Sequence, residues 1–316
     1  MTNKSWILGV LGLVAVTQAA CGAEFDPGSR VTDFRLIAVQ ADAPFAAPGE
    51  QVHLRALYHE PFGRPVSLSW MTCENPPDTS PIGCLHKIAA DAAQSGQAPA
   101  VQEGVGLDEI DVGVPATALD SVPDAALANA MVGVVTVACP GVLSPRDPST
   151  LGTGELPFRC NEDTTNAELP FERWAVSVKR IFLRRIDKNQ NPGIEQVSWD
   201  GAPWPDTEVK VVRPCSNDPN HLEDCKGGDR PRLSVSLTPG AAEFGKDELG
   251  RDFQEQVVIQ YYATEGTFEF DVRTDESPGN RWVARKAASG ESHTLWFVVR
   301  DNRGGVSWTS RQVQVL

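Results

Sequence analysis

Apolar and polar residues alternate along much of the chain after residue 30, as they do in β-strands with one buried face. Val52, Leu54, Ala56 and Tyr58, for example, alternate with polar side chains. Similar runs occur at 66–70, 174–186, 233–237, 256–262, 293–300 and 306–316. Turn-forming Gly, Pro, Asn and Asp residues separate these runs. The pattern therefore predicts an all-β protein.

The position of Trp70 indicates how the first strands are arranged. It lies in an alternating strand that follows a Gly/Pro turn at 62–65, like the tryptophan of strand C in an immunoglobulin-like sandwich. The Val-rich run 131–138 predicts a central strand buried on both faces, and together with 174–186 it supplies strands F and G. In the second half of the chain, strands B, C, E, F and G are predicted at 233–237, 256–262, 282–284, 293–300 and 306–316.

A polar, turn-rich stretch at 187–193 divides the strands into two sets. It predicts a boundary between a first immunoglobulin-like domain, 30–188, and a second immunoglobulin-like or PKD-like domain, 189–316. Over 74–130 the strand rhythm breaks, with a loop-like stretch around 94–106 and short helical patterns near 88–93 and after Pro123. We interpret 74–130 as a loop insertion in the first domain.

The first 20 residues have the pattern of an export signal. Lys4 precedes an apolar run at 6–16, which is shorter than the roughly 20 residues of a membrane-spanning helix. Ala19 and Ala20 precede Cys21, which resembles the signal of bacterial lipoproteins, whose mature chain begins at a lipidated cysteine. The alternative is secretory cleavage near Ala20 or Ala23, which would release an unanchored protein.

Lipidation implies a specific layout and location. We expect a signal peptide over 1–20, lipid on Cys21, and a polar tether over 21–29. Two or three acyl chains would attach the protein stably to a membrane, because each buried methylene contributes about 0.8 kcal/mol. Residue 22 is Gly and not the Asp that resembles the inner-membrane retention signal of enteric bacteria, which favours the outer membrane of the cell envelope.

The chain contains seven cysteines, and the odd number needs an explanation in an exported protein. If Cys21 carries lipid, the others fall into local couples. Local pairing is the simplest of the many connectivities that remain. The expected disulfides are Cys73–Cys84, Cys139–Cys160 and Cys215–Cys225. They place the protein in an oxidising compartment, the periplasm or the cell surface.

Composition excludes two classes of protein. Asp and Glu (42) outnumber Lys and Arg (28), which gives a net charge of −14 that repels nucleic-acid phosphates. Hydrophobic residues make up 41 % of the chain, enough for packed cores. We therefore expect neither a nucleic-acid partner nor extensive disorder.

The C-terminal stretch LWFVVRDNRGGVSWTSRQVQVL contains an alternating strand, an Asp, a Gly-Gly turn and a final strand. It resembles the end of PKD-type immunoglobulin-like domains, and Gly-Gly tolerates the positive φ of a tight hairpin. The stretch ADAPFAAPGEQVHLRALYHEPFGRPVSLSW resembles the front half of such a domain. The whole chain resembles predicted lipoproteins of myxobacteria with tandem domains of this kind. That resemblance implies two β-sandwiches with long disulfide-bearing loops, and it carries almost no information on activity.

Two groups of residues are candidates for metal binding. Asp187, Asn189 and Asn191 alternate like the first oxygen ligands of a calcium loop, although Pro192 replaces the glycine and Ser198 stands where a glutamate is needed. An Asx-rich linker is the interpretation that we favour, so we expect no cofactor, with calcium as the alternative.

A zinc site is the second candidate. Cys215, His221 and Cys225 could bind zinc with Asp218 or Asp224 as the fourth ligand. In an oxidising compartment, however, we expect the two thiols to form a disulfide.

Trp199 and Trp204 flank a turn in the sequence WDGAPW and are the candidates for stacking on a sugar ring. The alternative is that they pack at the junction of the two domains.

No nucleophile elbow, phosphate loop or HExxH motif occurs. The acidic pairs at 108–109 and 247–248 are interpreted as solvated surface.

These observations predict a non-catalytic, lipid-anchored envelope protein that serves in adhesion, binding or assembly, with no catalytic residue. Its partners would be the membrane, reached through the lipid, and envelope proteins or glycans. One alternative is an accessory lipoprotein that binds carbohydrate or peptidoglycan through Trp199 and Trp204. Another is a hydrolase whose site is built by the long loops of the first domain.

Overall fold

A computed structural model of the protein describes residues 27–76, 80–95, 101–146, 156–247, 249–275 and 279–316. The predicted signal peptide, Cys21 and most of the tether lie outside these residues. Within the described ranges, no helix has the length and hydrophobicity that crossing a membrane requires.

Strands dominate both halves of the chain. In the first half they are β1 (Arg35–Ala41), β2 (Phe45–Ala46), β3 (Gln51–His59), β4 (Ser67–Glu74), β5 (Val101–Val105), β6 (Glu109–Gly113), β7 (Met131–Cys139), β8 (Val142–Pro145), β9 (Phe158–Asn161) and β10 (Ala175–Leu183). The helix α1 (Pro81–Ser95) follows β4, and short 3-10 helices occupy Asp124–Asn129 and Phe171–Arg173.

The second half contains β11 (Ile194–Trp199), β12 (Ala202–Pro203), β13 (Val209–Val212), β14 (Arg232–Leu237), β15 (Phe244–Lys246), β16 (Asp252–Gln254), β17 (Val257–Ala263), β18 (Thr267–Phe268), β19 (Val272–Thr274), β20 (Asn280–Val283), β21 (Ser292–Asp301) and β22 (Val306–Val315). Short 3-10 helices occupy Leu222–Asp224 and Lys286–Ala288.

The first half folds into two facing sheets. Sheet I has the order β1-β3-β6, and sheet II has the order β2-β10-β7-β4-β5. All neighbours are antiparallel except β2, which runs parallel to β10. Val52 and Leu54 of sheet I pack with Leu68, Trp70 and other buried residues of sheet II in one core.

The second half repeats this strand topology. Sheet III has the order β12-β11-β14-β20-β18, and sheet IV has the order β13-β22-β21-β17-β19. Here too a short strand, β13, runs parallel to the last strand, β22. Leu233 of sheet III and Tyr261 and Phe297 of sheet IV share one core. The predicted all-β class with immunoglobulin-like sandwiches is confirmed.

The segment 74–130 is more than an insertion. It contains β5, the edge strand of sheet II, and β6, the edge strand of sheet I, and α1 extends to Ser95. The prediction of a loop around 94–106 is therefore wrong in part. The signal was weak because β5 is almost wholly exposed and β6 buries only Ile110 and Val112.

The described residues contain the three disulfides that the sequence predicts. Their Cα atoms are 5.5, 5.6 and 5.4 Å apart in Cys73–Cys84, Cys139–Cys160 and Cys215–Cys225. The last bridge occupies both thiols of the zinc candidate, so that cluster has no thiolate to offer. Cys73–Cys84 fastens α1 to β4, and Gly133 of β7 lies directly beneath it.

The close approach of this disulfide to β7 gives a first prediction. A Cβ at residue 133 would lie 2.7 Å from Cys73 Sγ and 3.0 Å from Cys84 Sγ, so Gly133→Ala forces the bridge or the strand to move. Such overpacking lowers the free energy of unfolding by about 1–3 kcal/mol. Chemical denaturation of the oxidised protein measures this loss.

Gly113→Ala is the matched control, because a Cβ there has no heavy atom within 4 Å. In a Cys73→Ala/Cys84→Ala background the effect of Gly133→Ala should shrink, since the crowding sulfurs are gone. An equal loss in both backgrounds would show that the disulfide is not the cause.

Candidate functional site at the domain junction

The tryptophans that the sequence nominates for sugar binding belong to the core of the second sandwich. Trp204 is 1 % exposed, and its indole N–H donates to the Glu208 carbonyl at 2.9 Å. Its ring meets Trp199 edge to face, with centroids 4.9 Å apart, and contacts Phe297 in the same way. A ring buried in this way has no face to offer a sugar, and it does not lie at the domain junction either.

The junction between the sandwiches depends on β21, which is buried on both faces. Leu295, Phe297 and Val299 face the core, whereas Trp296 and Val298 point the other way. That outer face is covered by the first half of the chain, through Val31, Ile37 and Ala38, with Leu57, Tyr262, Val306 and Trp308 around them. His59 adds its ring 5.2 Å from Trp296, and burial lowers the pKa of His59.

The start of the described chain is bound to the second sandwich. Val31 N–H donates to the Ala263 carbonyl at 2.8 Å, and Ala263 N–H donates to the Ser29 carbonyl at 2.9 Å. The buried Arg30 side chain donates to the Gly266 carbonyl and to Thr267 Oγ1. Residue 30, predicted to open the first domain, therefore pairs with the second.

The calcium candidates lie in the stretch 187–193 that connects the sandwiches, here called the hinge. Their side chains contact protein groups of both sandwiches. Asn191 Nδ2 donates to the Ala41 carbonyl at 2.8 Å, and its Oδ1 accepts from Val306 N–H at 2.8 Å. Asn189 is buried and donates to the Arg303 carbonyl, and Asp187 accepts from the Arg303 guanidinium at 2.9 Å. Within the described ranges, no group of three or more His, Cys, Asp and Glu is placed to hold a metal.

Arg303 supplies the positive charge of this hinge. Its side chain is 12 % exposed and lies 2.9 Å from Asp187, 3.4 Å from Glu255 and 3.6 Å from Glu243. The guanidinium also stacks over aromatic rings of both sandwiches, 3.7 Å from the Phe253 centroid and 4.6 Å from that of Phe45. Burial raises the pKa of Glu255 and of Glu243, and the charge of Arg303 opposes that rise.

The β21–β22 turn and the strand residues beside it make further polar contacts across the junction. Gly304 has a φ of 103°, as the Gly-Gly hairpin pattern predicts, and its carbonyl accepts from Lys179 of β10. Gln40 of β1 donates to the Val306 carbonyl. The register of β1 against β3 shifts between Leu36 and Ala38, and the carbonyl of the intervening Ile37 accepts from Arg300 at 3.1 Å.

A cavity of about 280 Å³ lies where β1, β10 and this turn meet. Its charged lining comprises Lys179, Arg180, Arg300 and Asp301. Lys179 is 6 % exposed, and burial lowers its pKa from 10.5 to about 8, with the charge of Arg300 acting in the same direction. Asp301 accepts from the backbone N–H groups of Arg303 and Gly305.

The sequence pattern does not predict this site as a whole, although β10 carries a signal for it. Lys179 has the same strand parity as Ile181 and Leu183, which are fully buried in the core of the first sandwich. A lysine on the buried face of a strand indicates a charge that needs a partner. The partners come from β21 and β22, and no local pattern reveals them.

Comparisons with known proteins do not identify a family, since neither a family model nor a curated protein matches. The chain is similar to a chimeric titin Z1Z2–Z1Z2 tandem carrying a GRGDS peptide from fibronectin, with 11 % identity, coverage of 90 % of this chain and 99 % of that one, and a TM-score of 0.22. It is also similar to dimeric latent PorU from Porphyromonas gingivalis, with 11 % identity and a TM-score of 0.22. That match covers 90 % of this chain and 24 % of the PorU chain. With TM-scores this low, we base no argument on either likeness.

The Arg303 cluster gives a second prediction. Arg303→Met leaves Asp187, Glu243 and Glu255 without their shared cation, and removing one partner of a buried ion pair costs about 3–5 kcal/mol. We expect a loss of that size in the free energy of unfolding at pH 7. The loss should shrink as the pH falls, because Glu243 and Glu255, whose pKa is raised by burial, become protonated and neutral.

Arg213→Met is the matched control, since it removes an arginine whose side chain is 70 % exposed and which pairs with Asp229. Exposed pairs contribute little, so this variant should lose much less. Thermal and chemical unfolding across pH 4–8 measure both variants. Equal losses would mean that the hinge does not depend on Arg303.

Lys179 gives a third prediction. At pH 7 it is charged in both the folded and the unfolded chain. As the pH rises from about 8 to 10.5, the folded protein releases this proton before the unfolded chain does. The free energy of unfolding should therefore rise over that window, by roughly 3 kcal/mol from this group alone.

Lys179→Met should lack this rise and should be more stable than the parent protein at pH 7. Lys246→Met removes the same charge from a side chain that is 64 % exposed, and it should keep the parent profile. Urea denaturation between pH 7 and 10.5 compares the three proteins. Parallel profiles for the parent and Lys179→Met would contradict the burial of the charge.

Proposed function

We propose that this protein is a non-catalytic, lipid-anchored binding or assembly module of a bacterial cell envelope. Two disulfide-bearing immunoglobulin-like sandwiches would be displayed as one unit, because the junction buries one face of β21 and binds residues 29–31. The observation that carries the proposal is this junction, in which residues 29–31 and the hinge both contact the second sandwich. A module fixed in this way presents its loops in a constant arrangement.

The disulfides support a location outside the cytosol. Three local bridges persist only where thiols are oxidised, as in a periplasm or on a cell surface. The signal-like residues 1–20 and Cys21 supply the route and the anchor in this proposal. With the six other cysteines paired, Cys21 is the one left for lipid.

The tether would keep the junction close to the membrane. The stretch from Cys21 to Pro27 spans at most roughly 20 Å when fully extended. Residues 29–31 are hydrogen-bonded to the end of β17, so the lipid would hold that edge of the second sandwich near the bilayer. Partners of the module would then be envelope proteins or glycans that reach its remaining loops. The burial of Trp204 gives no support to a sugar platform at that residue.

The anchor is tested by the intact mass of the protein purified from a membrane fraction. We expect a mature chain that begins at Cys21, carries acyl chains, and has lost six hydrogens through three disulfides. Cys21→Ser should move the protein to the soluble envelope fraction and leave the disulfides and the unfolding midpoint unchanged. An unlipidated parent protein cleaved near Ala20 or Ala23 would establish secretion instead, and free thiols in a cytosolic chain would overturn the proposal.

A further inference from the structure

We propose that the cavity at the domain junction binds a small oxyanion, a carboxylate or phosphate group, through Lys179 and Arg300. The inference rests on the geometry of the cavity and not on the lipid anchor. It therefore stands or falls separately from the proposed function.

Lys179 has fewer hydrogen-bond acceptors than its charge requires. An ammonium group has three N–H donors, and at 6 % exposure this one reaches a single protein acceptor, the Gly304 carbonyl. It forms no ion pair within the described part of the chain, and the attraction of Asp301 offsets only part of the effect of burial and of Arg300 on its pKa. Buried charges are ordinarily paired, because leaving water without a partner is costly. A buried ammonium that lacks acceptors and a close counter-ion favours the binding of an anion.

Arg300 adds a second cation whose hydrogen-bond acceptors are uncharged. The half-buried guanidinium directs Nη2 to the Ile37 carbonyl and Nε to Gln260 Oε1 at 2.7 Å, and both acceptors are uncharged. It lies near enough to Lys179 to lower the pKa of that group. The acid beside them, Asp301, already accepts two backbone N–H groups through Oδ1. Its Oδ2 is buried without a hydrogen-bond partner among the described residues, and its single negative charge faces two cations, Lys179 and Arg300.

The size and walls of the cavity limit the ligand. A volume of about 280 Å³ lies just below the range of roughly 300–1,000 Å³ that is usual for small-molecule sites, which often occur between domains. Leu36, Ile37, Val178 and Phe182 add apolar surface to the lining. The cavity therefore suits a compact anion with a short apolar body, such as a small carboxylic acid, or inorganic phosphate.

Calorimetric titration of the purified full chain tests the proposal, with inorganic phosphate and butyrate as separate probes and choline as the cationic control. We expect saturable 1:1 binding of one probe or both, and none of choline. Binding of phosphate alone would assign the phosphoryl class, and binding of butyrate alone would assign the carboxylate class. Absence of saturable binding of both anions up to 10 mM, roughly the limit of weak recognition, would overturn the proposal.

Variants locate the site. Lys179→Met should weaken binding at least tenfold, Lys179→Arg should largely restore it, and Lys246→Met should leave it unchanged. The affinity of the parent relative to that of Lys179→Arg should fall as the pH rises from 7 to 9.5, because Lys179 loses its proton and an arginine does not. Taking this ratio cancels the titration of phosphate itself. The other charged groups that line the cavity are Arg180, Arg300 and Asp301.

Thermal unfolding of each variant establishes that it is folded. If Lys179→Met does not fold, the pH dependence of the parent and of Lys179→Arg decides the question. Binding that is insensitive to Lys179→Met, or equally pH-dependent in Lys179→Arg, would place the anion elsewhere and overturn the assignment.

Discussion

The burial of β21 on both faces is the constraint on which the arrangement of this molecule depends. A strand of an antiparallel sheet with one solvated face alternates apolar and polar residues, whereas β21 contains the continuous run LWFVV. One set of these side chains fills the second sandwich, and Trp296 and Val298 require a cover. Ile37 and Ala38 of β1 provide it. The sandwiches are consequently packed against each other and are not connected through the hinge alone.

The polar contacts of the junction follow from that packing. Once β1 lies on β22, the bulge at Ile37 and the turn after β21 meet, and their backbone groups need partners away from water. Arg300, Gln40, Asn191 and Lys179 supply them from different parts of the chain. Arg303 then neutralises acids from the hinge and from the second sandwich. In the Asp-Asn-Asn pattern that is typical of calcium ligands, only Asp187 meets a cation, the Arg303 guanidinium, whereas the amides of Asn189 and Asn191 bond to backbone groups.

The sequence was sufficient for the long strands and insufficient for the edges and the junction. Strands β3, β4, β7, β10, β14, β17, β21 and β22 bury several residues at regular spacing, and that periodicity is visible locally. By contrast, β6 buries two residues and β5 almost none, so their assignment depends on the neighbouring strand that pairs with them. The contact between Arg30 and Gly266 spans 236 residues and leaves no periodic trace. Trp204 is a further case, since the sequence pattern suggests sugar stacking or packing at the domain junction, whereas the residue lies in the core of the second sandwich.

Lys179 can be predicted from the sequence only in part. Its parity with Ile181 and Leu183 is readable in the sequence, but its role depends on where the β21–β22 turn lies. The two sandwiches share one topology, and at their junction β10, the last strand of the first, meets the turn before the last strand of the second. A buried ammonium with one carbonyl acceptor destabilises the fold that contains it, as its lowered pKa indicates. Such a group is easier to account for as part of a site than as part of a core, because packing at that position requires no charge.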